Sequence, residues 1–383
     1  MIAISPLIEV NGPPLQRGRQ YGEQAKQRIH RGADHYIEQL RRADFDWPEV
    51  RAAVDEYLPI IRGFDAAYVE EMQGIAEGAG IEFAAIVLLN ARTEILQIAR
   101  RRAHLDDTFD DDPDGCTGVI ALPSACAQGR LLHAQNWDWK AQCAETTVVL
   151  KVRRDDGPDL LTFTEAGALA RCGFNAAGIA ITANYLECER DYVELGVPLA
   201  LIRRKVLEQQ HFALAIRAVQ ATRKSASNNI MLSHAQGIGL DFECAPNAAF
   251  VVHAQDGLIV HANHWQSPAA LARLTDTGIA STPDSLFRDL RVRELLTPHT
   301  GQLSAAHLKG ALFDDFASPW SVCRPPRVTH ASNLSATVAM IVMEPALGLM
   351  EVAMLPGLNR SFESYRLESE FVPTHTPVPW EGQ

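Results

Sequence analysis

Gly115, Cys116 and Thr117 stand where an acidic, breaker-rich stretch turns into an apolar run, DDDPDGCTGVIALPSA from Asp110 to Ala125. A cysteine in that position is a candidate nucleophile. A thiol of ordinary pKa is mostly protonated near neutral pH, so it needs a base or a lowered pKa to attack. A cut between Gly115 and Cys116 would supply the base. The α-amine released on Cys116 has a pKa near ~8 and is tethered beside the sulfur. Such a cut needs an exposed, pliable segment and no side chain at the scissile bond, and the acidic stretch and Gly115 offer both. Two other readings stay open: a half-buried free cysteine on a strand, and an uncleaved Cys–His pair using His133, His253, His261 or His264.

Metal chemistry is not expected. Asp110, Asp112, Asp114 and Gly115 match positions 1, 3, 5 and 6 of an EF-hand loop, but position 12 is Ala121 instead of Glu and Pro113 interrupts the run. The stretch reads as a solvated loop. His261 and His264 would point to opposite faces of a strand, with no third ligand suitably spaced.

The elements that must position Cys116 change character at Cys116 itself. From about Leu15 to Arg102 the apolar residues recur at helical spacing, with Pro59, Gly74, Gly78 and Gly80 as punctuation. Beyond Cys116, TGVIALPSA, RLLHAQNWDW, TTVVLKVRR and DLLTFTEAG read as strands. CGFNAAGIAITANYL reads as a hairpin turning at Asn175–Gly178. A helical stretch runs from Pro198 to about Arg223. NNIMLSHAQG follows as a strand, and AFVVHAQDGLIVHANHW as a hairpin turning at Gln255-Asp256-Gly257. SLFRDLRVRELL and SAAHLKGALFDDF are helical, and ATVAMIVMEP with LGLMEVAML forms a last pair turning near Pro345 to Gly348. VPTHTPVPWEGQ reads as an extended surface strap. The order favours α+β with antiparallel sheets over a doubly wound fold.

The 383 residues suffice for a large core. A net charge of −12 argues against nucleic acid or an anionic membrane surface as partner. No apolar run approaches the ~18 residues that span a bilayer, and MIAISPLIEVNG lacks the features of a secretory signal. Seven scattered cysteines without a CxxC pair fit free thiols in a reducing cytoplasm.

The segments DGCTGVIALPSA, LLHAQNWDW, FTEAGALARCGFNAAGIAITANYL, SHAQGIGLDFE and IVHANHW, in that order, resemble the acyl-coenzyme A:6-aminopenicillanate acyltransferase family of cysteine Ntn hydrolases, relatives of penicillin V acylases and bile salt hydrolases. PLQRGRQYGEQ is similar to the family's opening helix. The resemblance implies a four-layer αββα sandwich: a helical segment, 1–115, and a catalytic region, 116–383, forming one compact domain. It implies self-cleavage between Gly115 and Cys116, fragments that stay associated, and a Cys116 thioester formed from an amide-linked acyl group. Asp138 of QNWD matches the family's acidic residue near the nucleophile, where a carboxylate would steady the charged α-amine. Asn263 of HANH and Asn184 of ANY match asparagines that bind the oxyanion.

Trp137 and Trp139, flanking Asp138, either wall an acyl pocket or simply fill core, and Thr117 is a further candidate for substrate binding. Glu165 and the glycine of TEAG read as shaping a turn beside the site. Two departures stand out. Gln135 lies where the bile salt hydrolase branch has an arginine, and Leu334 lies near the slot of an arginine in the acyltransferase branch. Arg324 and Arg327, upstream of that slot, read as surface or structural. The expected partner is a small N-acyl molecule, with no cofactor. Water is the default acyl acceptor, because no Gly-rich phosphate turn before a helix is visible. Acyl-coenzyme A and a homo-oligomer stay open, as does a rival from another class, a binding protein that keeps the fold without processing.

Overall fold

The structure, a computed structural model, describes residues 4–102, 115–328 and 334–368. The EF-hand-like positions up to Asp114 and the Pro-rich tail lie outside the described residues.

The helical third resolves into α1 (Pro14–Arg42), α2 (Trp47–Phe64), α3 (Ala66–Ala79), α4 (Phe83–Asn90) and α5 (Arg92–Arg102). Local signals set their ends. Asp46 and Glu49 form a reciprocal capping box on α2, and the Asp65 side chain caps α3. Gly80 ends α3 in the left-handed region at φ 65°.

Helices α1 and α3 cross with their backbones almost touching. A Cβ placed on Gly18 would lie 2.2 Å from the Glu71 carbonyl oxygen, one on Gly22 2.3 Å from Ile75 O, and ones on Gly74 and Gly78 2.2 Å from Leu15 O and Arg19 O. The sequence punctuation at Gly74 and Gly78 is therefore a packing requirement, not a break in the helix. Across the same crossing runs a buried chain of charges. Arg17 pairs with Glu71 at 2.7 Å, Arg204 with Glu71 at 3.1 Å and with Glu208 at 2.8 Å. It ties both helices to α6 (Leu199–Leu207), which α7 (Phe212–Ala221) follows.

The strands are β1 (Leu7–Val10), β2 (Gly115–Ala121), β3 (Leu132–Lys140), β4 (Thr147–Val152), β5 (Leu160–Glu165), β6 (Cys172–Asn175), β7 (Ile179–Tyr185), β8 (Asn228–His234), β9 (Ile238–Ala245), β10 (Ala248–Val252), β11 (Leu258–His261), β12 (Arg327–Val328), β13 (Leu334–Glu344), β14 (Leu349–Met354) and β15 (Glu363–Arg366). They form two sheets, ordered β1-β4-β5-β6-β7-β8-β9-β10 and β11-β2-β3-β13-β14-β15, with β12 on β13. Every pairing is antiparallel except β1 with β4.

The sheets face each other, β2 against β7 and β8. Helices α1, α6 and α7 cover the outside of the first sheet. Helices α9 (Ser285–Leu296) and α10 (Ala305–Leu312) cover the outside of the second, beyond the short α8 (Pro268–Leu271). This is the αββα layering of the α+β class.

One expected hairpin is corrected. Asp256 and Gly257 do take positive φ, 52° and 77°, as a tight turn requires. Yet β10 pairs with β9, and β11 with β2 in the other sheet. The turn carries the chain between layers. Turn chemistry fixes a local reversal, whereas sheet membership follows from which apolar face each strand must bury. The edge strand β1 gave no signal in the sequence.

Gly74→Ala is expected to destabilise the protein by about 1–3 kcal/mol, the usual cost of overpacking. Gly310→Ala, on the exposed face of α10 with nothing within 4 Å of the new methyl, is expected to be neutral or mildly stabilising. Urea denaturation of the two variants checks both.

Candidate active site

Strand β2 places Cys116, and its alternation decides what each neighbour can do. Cys116 pairs with Trp137 and Gly115 with Asp138. The Cys116 side chain faces the first sheet, in a narrow pocket also lined by Thr93, Arg171, Asn184, Tyr185, Leu199 and Arg203. Gly115 and Thr117 turn the other way, toward α9.

Gly115 has no room for a side chain. A Cβ there would sit 2.8 Å from Asp138 Oδ2 and 2.9 Å from Arg324 Nη1. The Asp138 carboxylate thus lies against the Gly115 side of the Gly115–Cys116 peptide, on the sheet face opposite the thiol. It accepts from Thr337 Oγ1 at 2.6 Å and pairs with Arg324 Nε at 3.3 Å. Arg324 also pairs with Asp284, which pairs with Arg288 at 2.7 Å. Arg288 closes the chain on β2, the strand of Cys116. Its Nη1 donates to the Cys116 carbonyl at 2.6 Å and to Thr117 Oγ1 at 2.9 Å, and its Nη2 donates to Asn263 Oδ1 at 2.8 Å. Asp138, Arg324, Asp284 and Arg288 are all buried. Burial alone would raise the Asp284 pKa, but Arg288 and Arg324 outweigh it and hold the carboxyl below its ordinary value.

Asn263, just beyond β11, accepts from the Cys116 amide at 2.9 Å through the same Oδ1 and donates from Nδ2 to Tyr185 O. Asn184, on β7, donates to His261 O at 2.9 Å and accepts from Gln135 Nε2 at 2.7 Å. Gln135 is therefore a tie between the two sheets. A different arginine reaches the thiol: Arg171, in the turn between β5 and β6, brings Nη2 to 3.5 Å from Cys116 Sγ.

The structure thus brings Gly115, Cys116, Asp138, Asn263 and Asn184 together and corrects several other expectations. Thr117 faces away from the pocket and is taken up by Arg288. Trp137 is fully buried under the Arg171 guanidinium and against Phe163, while Trp139 packs at the helical layer, its Nε1 donating to Tyr36 OH. Neither indole lines the Cys116 pocket. Glu165 pairs with Arg92 at 2.6 Å and so anchors α5.

The histidine alternative loses two of its candidates. His133 has both ring nitrogens on hydroxyls, of Ser233 and Thr182, and burial pushes its pKa down to about 3. Burial also opposes charge on His261, but Asp241 and Glu243 raise its pKa to about 9, so it is protonated at neutral pH and is no base. Of the two readings of Arg324, surface or structural, the second holds: it is 1% exposed at the centre of the ion chain, whereas Arg327 stacks over Trp320. Arg171, Asp284, Arg288 and Thr337 escaped the sequence reading. The Asp284–Arg288 pair had a signal, an aspartate four residues before an arginine at a helix start.

The family model for acyl-coenzyme A:6-aminopenicillanic acid acyl-transferase matches residues 126–354, a range that begins beyond Cys116. The 40 kDa form of acyl-coenzyme A:6-aminopenicillanic-acid-acyltransferase from Emericella nidulans is 29% identical over 326 residues, 83% of this chain and 84% of that protein. Among solved structures, a mutant conjugated bile acid hydrolase from Clostridium perfringens is 12% identical over 66% of this chain and 92% of its own, with a TM-score of 0.48. Penicillin V acylase from Agrobacterium tumefaciens is 16% identical over 67% and 88%, with a TM-score of 0.44.

Asp284→Ala leaves two buried guanidinium groups short of their shared carboxylate, and is expected to cost about 3–5 kcal/mol in urea denaturation. The same carboxyl gives a pH signature. Its folded pKa lies below its unfolded value of about 3.9, so its contribution is complete above that value and is lost as pH falls through the folded one. The wild type should lose stability on that acid limb more steeply than the variant.

Proposed function

Because the chain belongs to the acyl-coenzyme A:6-aminopenicillanic acid acyl-transferase family, we propose that it is a self-processing amidohydrolase or acyltransferase that cuts an N-acyl compound through a thioester on Cys116. The observation that carries the reading is the junction of β2. A buried cysteine lines a pocket, and directly before it stands a glycine pressed against Asp138 and Arg324 with no space for a side chain. A plain structural strand has no need of a buried ion chain gripping the peptide bond ahead of its cysteine.

Processing begins as Cys116 Sγ attacks the Gly115 carbonyl carbon. The peptide nitrogen leaves as the Cys116 α-amine and Gly115 is held as a thioester. Water then releases Gly115 as a carboxylate and restores the thiol. Arg288 on the Cys116 carbonyl and Asn263 Oδ1 on the Cys116 nitrogen hold the residue on both sides of its Cα. Once Gly115 has gone, its space lets the Asp138 carboxylate approach the new ammonium.

In turnover the α-amine takes the thiol proton and the thiolate attacks the substrate amide. One Nδ2 hydrogen of Asn263 stays on Tyr185 O and the other serves the oxyanion, with Asn184 supporting it from the pocket wall. The departing amine collects the proton from the α-ammonium, and water or a second amine resolves the thioester. Water is the simpler acceptor. The fragments before and after the cut stay together, because the core packs α1 to α5 against both sheets.

Cys116→Ala is expected to remain one chain and to turn over nothing, while Asn263→Ala is expected to lower kcat by about 10²–10³. Denaturing gels beside amine-release assays over time check both. Activity should rise in step with the larger fragment. Full activity from uncut wild-type chain would contradict the α-amine mechanism.

A further inference from the structure

We propose that Glu243 is a positioning residue for acyl transfer: through His261 and the loop beyond it, its buried carboxylate sets where Asn263 and Asn184 present their amides to the oxyanion. The inference rests on the acyl-transfer reading above and adds a residue that touches neither thiol nor substrate.

Glu243 lies on β9, in the first sheet, and is fully buried against the second. It clasps both feet of the loop that carries Asn263. Its Oε1 accepts from His261 Nε2 at 3.0 Å, at the end of β11, and from the Gln266 amide. Its Oε2 accepts at 3.0 Å from the amide of Ser267, the cap of α8. Asn263 stands between those feet, with its own amide on Ser285 Oγ at 2.7 Å. The first foot also serves Asn184, whose Nδ2 donates to the His261 carbonyl. One carboxylate therefore reaches both asparagines through His261.

Two arguments give the clasp a duty beyond cohesion. An apolar pair of similar volume would hold the sheets together without the desolvation cost of buried ions. What the ions supply is direction, since three donors converge on two oxygens and fix the loop at both ends. The second argument is timing. In the uncut chain Asn263 Oδ1 accepts from the Cys116 amide. Once that nitrogen is an amine and substrate enters, this contact changes, so the Asn263 backbone has to be held from elsewhere. Glu243 and Ser285 hold it, and neither lines the Cys116 pocket.

His261 makes the clasp depend on a proton. As an imidazolium it donates from Nε2 to Glu243 and from Nδ1 to the Ala262 carbonyl at 3.0 Å, whereas a neutral ring has one N–H to give. Burial works against that charge, and Asp241 and Glu243 on β9 sustain it up to about 9. The other charged or titratable groups on this side are His264, stacked on His261 at 6.3 Å, and Asp289 and Arg293 of α9, bonded to Gln266 Nε2 and the Val260 carbonyl. Gly118 of β2, paired with His261, and Asn229 of β8 carry no charge.

Hydrogen exchange and kinetics of the mature protein test the proposal. In Glu243→Gln an amide group replaces one acceptor oxygen, so the Gln266 and Ser267 amides should exchange about tenfold faster while those of β4 stay unchanged. Exchange equal to wild type would overturn the clasp. The kinetic test pairs N-(4-nitrophenyl)hexanamide with its thioamide, because sulfur is a weak acceptor and gains little from oxyanion donors. The oxo-to-thio ratio of kcat/KM should fall about tenfold in Glu243→Gln, in the direction of Asn263→Ala, and recover in part in Glu243→Asp. A ratio held at the wild-type value while exchange rises would overturn the positioning role and leave acyl transfer standing. Faster exchange in a protein whose wild type cleaves neither compound would overturn the acyl-transfer reading, and the positioning role with it.

The wild type alone supplies a further check should the variants fail to mature. Its kcat should fall as pH rises through about 9, where His261 loses its proton. In Glu243→Gln the fall should come at lower pH, because one of the two carboxylates that raise the His261 pKa is gone. A wild-type kcat level through that range would overturn the link through His261.

Discussion

Four buried charges in alternation, Asp138, Arg324, Asp284 and Arg288, hold the Gly115–Cys116 junction, and much of the local structure follows from keeping them satisfied. Each is expensive to bury alone and tolerable only with its neighbours in place. The chain links β3, the segment before β12, the start of α9 and the backbone of β2, and so makes the junction part of the core. It also removes the space for any side chain before Cys116. The same residues bring an amide oxygen, Asn263 Oδ1, onto the nitrogen that a cut would turn into an amine.

A second constraint comes from strand alternation. Because Cys116 and Asp138 belong to adjacent strands in fixed register, the thiol faces the space between the sheets and the carboxylate faces α9. The two faces carry different duties. Inside lie the pocket, Arg171 and the asparagine ties between sheets. Outside lies the ion chain that grips the backbone. The N-terminal helices complete the inside from a distance: the glycine-lined crossing of α1 and α3, with the Arg17–Glu71–Arg204–Glu208 charges, holds α6 where Leu199 and Arg203 wall the pocket.

The sequence made the helical third, most strands and the last hairpin legible, and it singled out the Gly115–Cys116 junction, because periodicity, turn residues and a Gly-Cys pair at a change of texture are local signals. Asp138, Asn263 and Asn184 came from resemblance alone. What stayed hidden was long-range. Whether Arg324 lies on the surface or in the core depends on Asp284, distant in sequence, and nothing local reveals it. Arg171 sits in a Gly- and Ala-rich turn that reads as structural until the facing sheet puts Cys116 beside it. The Asp256–Gly257 turn was correctly located yet joined two sheets instead of two paired strands. Thr117, beside Cys116 in the sequence, lies on the other face of β2, since neighbours on a pleated strand point to opposite faces.

The measurement that tests the central claim most directly is intact mass spectrometry of the protein quenched in acid during incubation with an N-acyl substrate, followed by peptide mapping. The account predicts a fragment whose first residue is Cys116, carrying the substrate's acyl group as a hydroxylamine-labile thioester on that residue. An acyl adduct on the uncut chain, or on a residue other than Cys116, would contradict it.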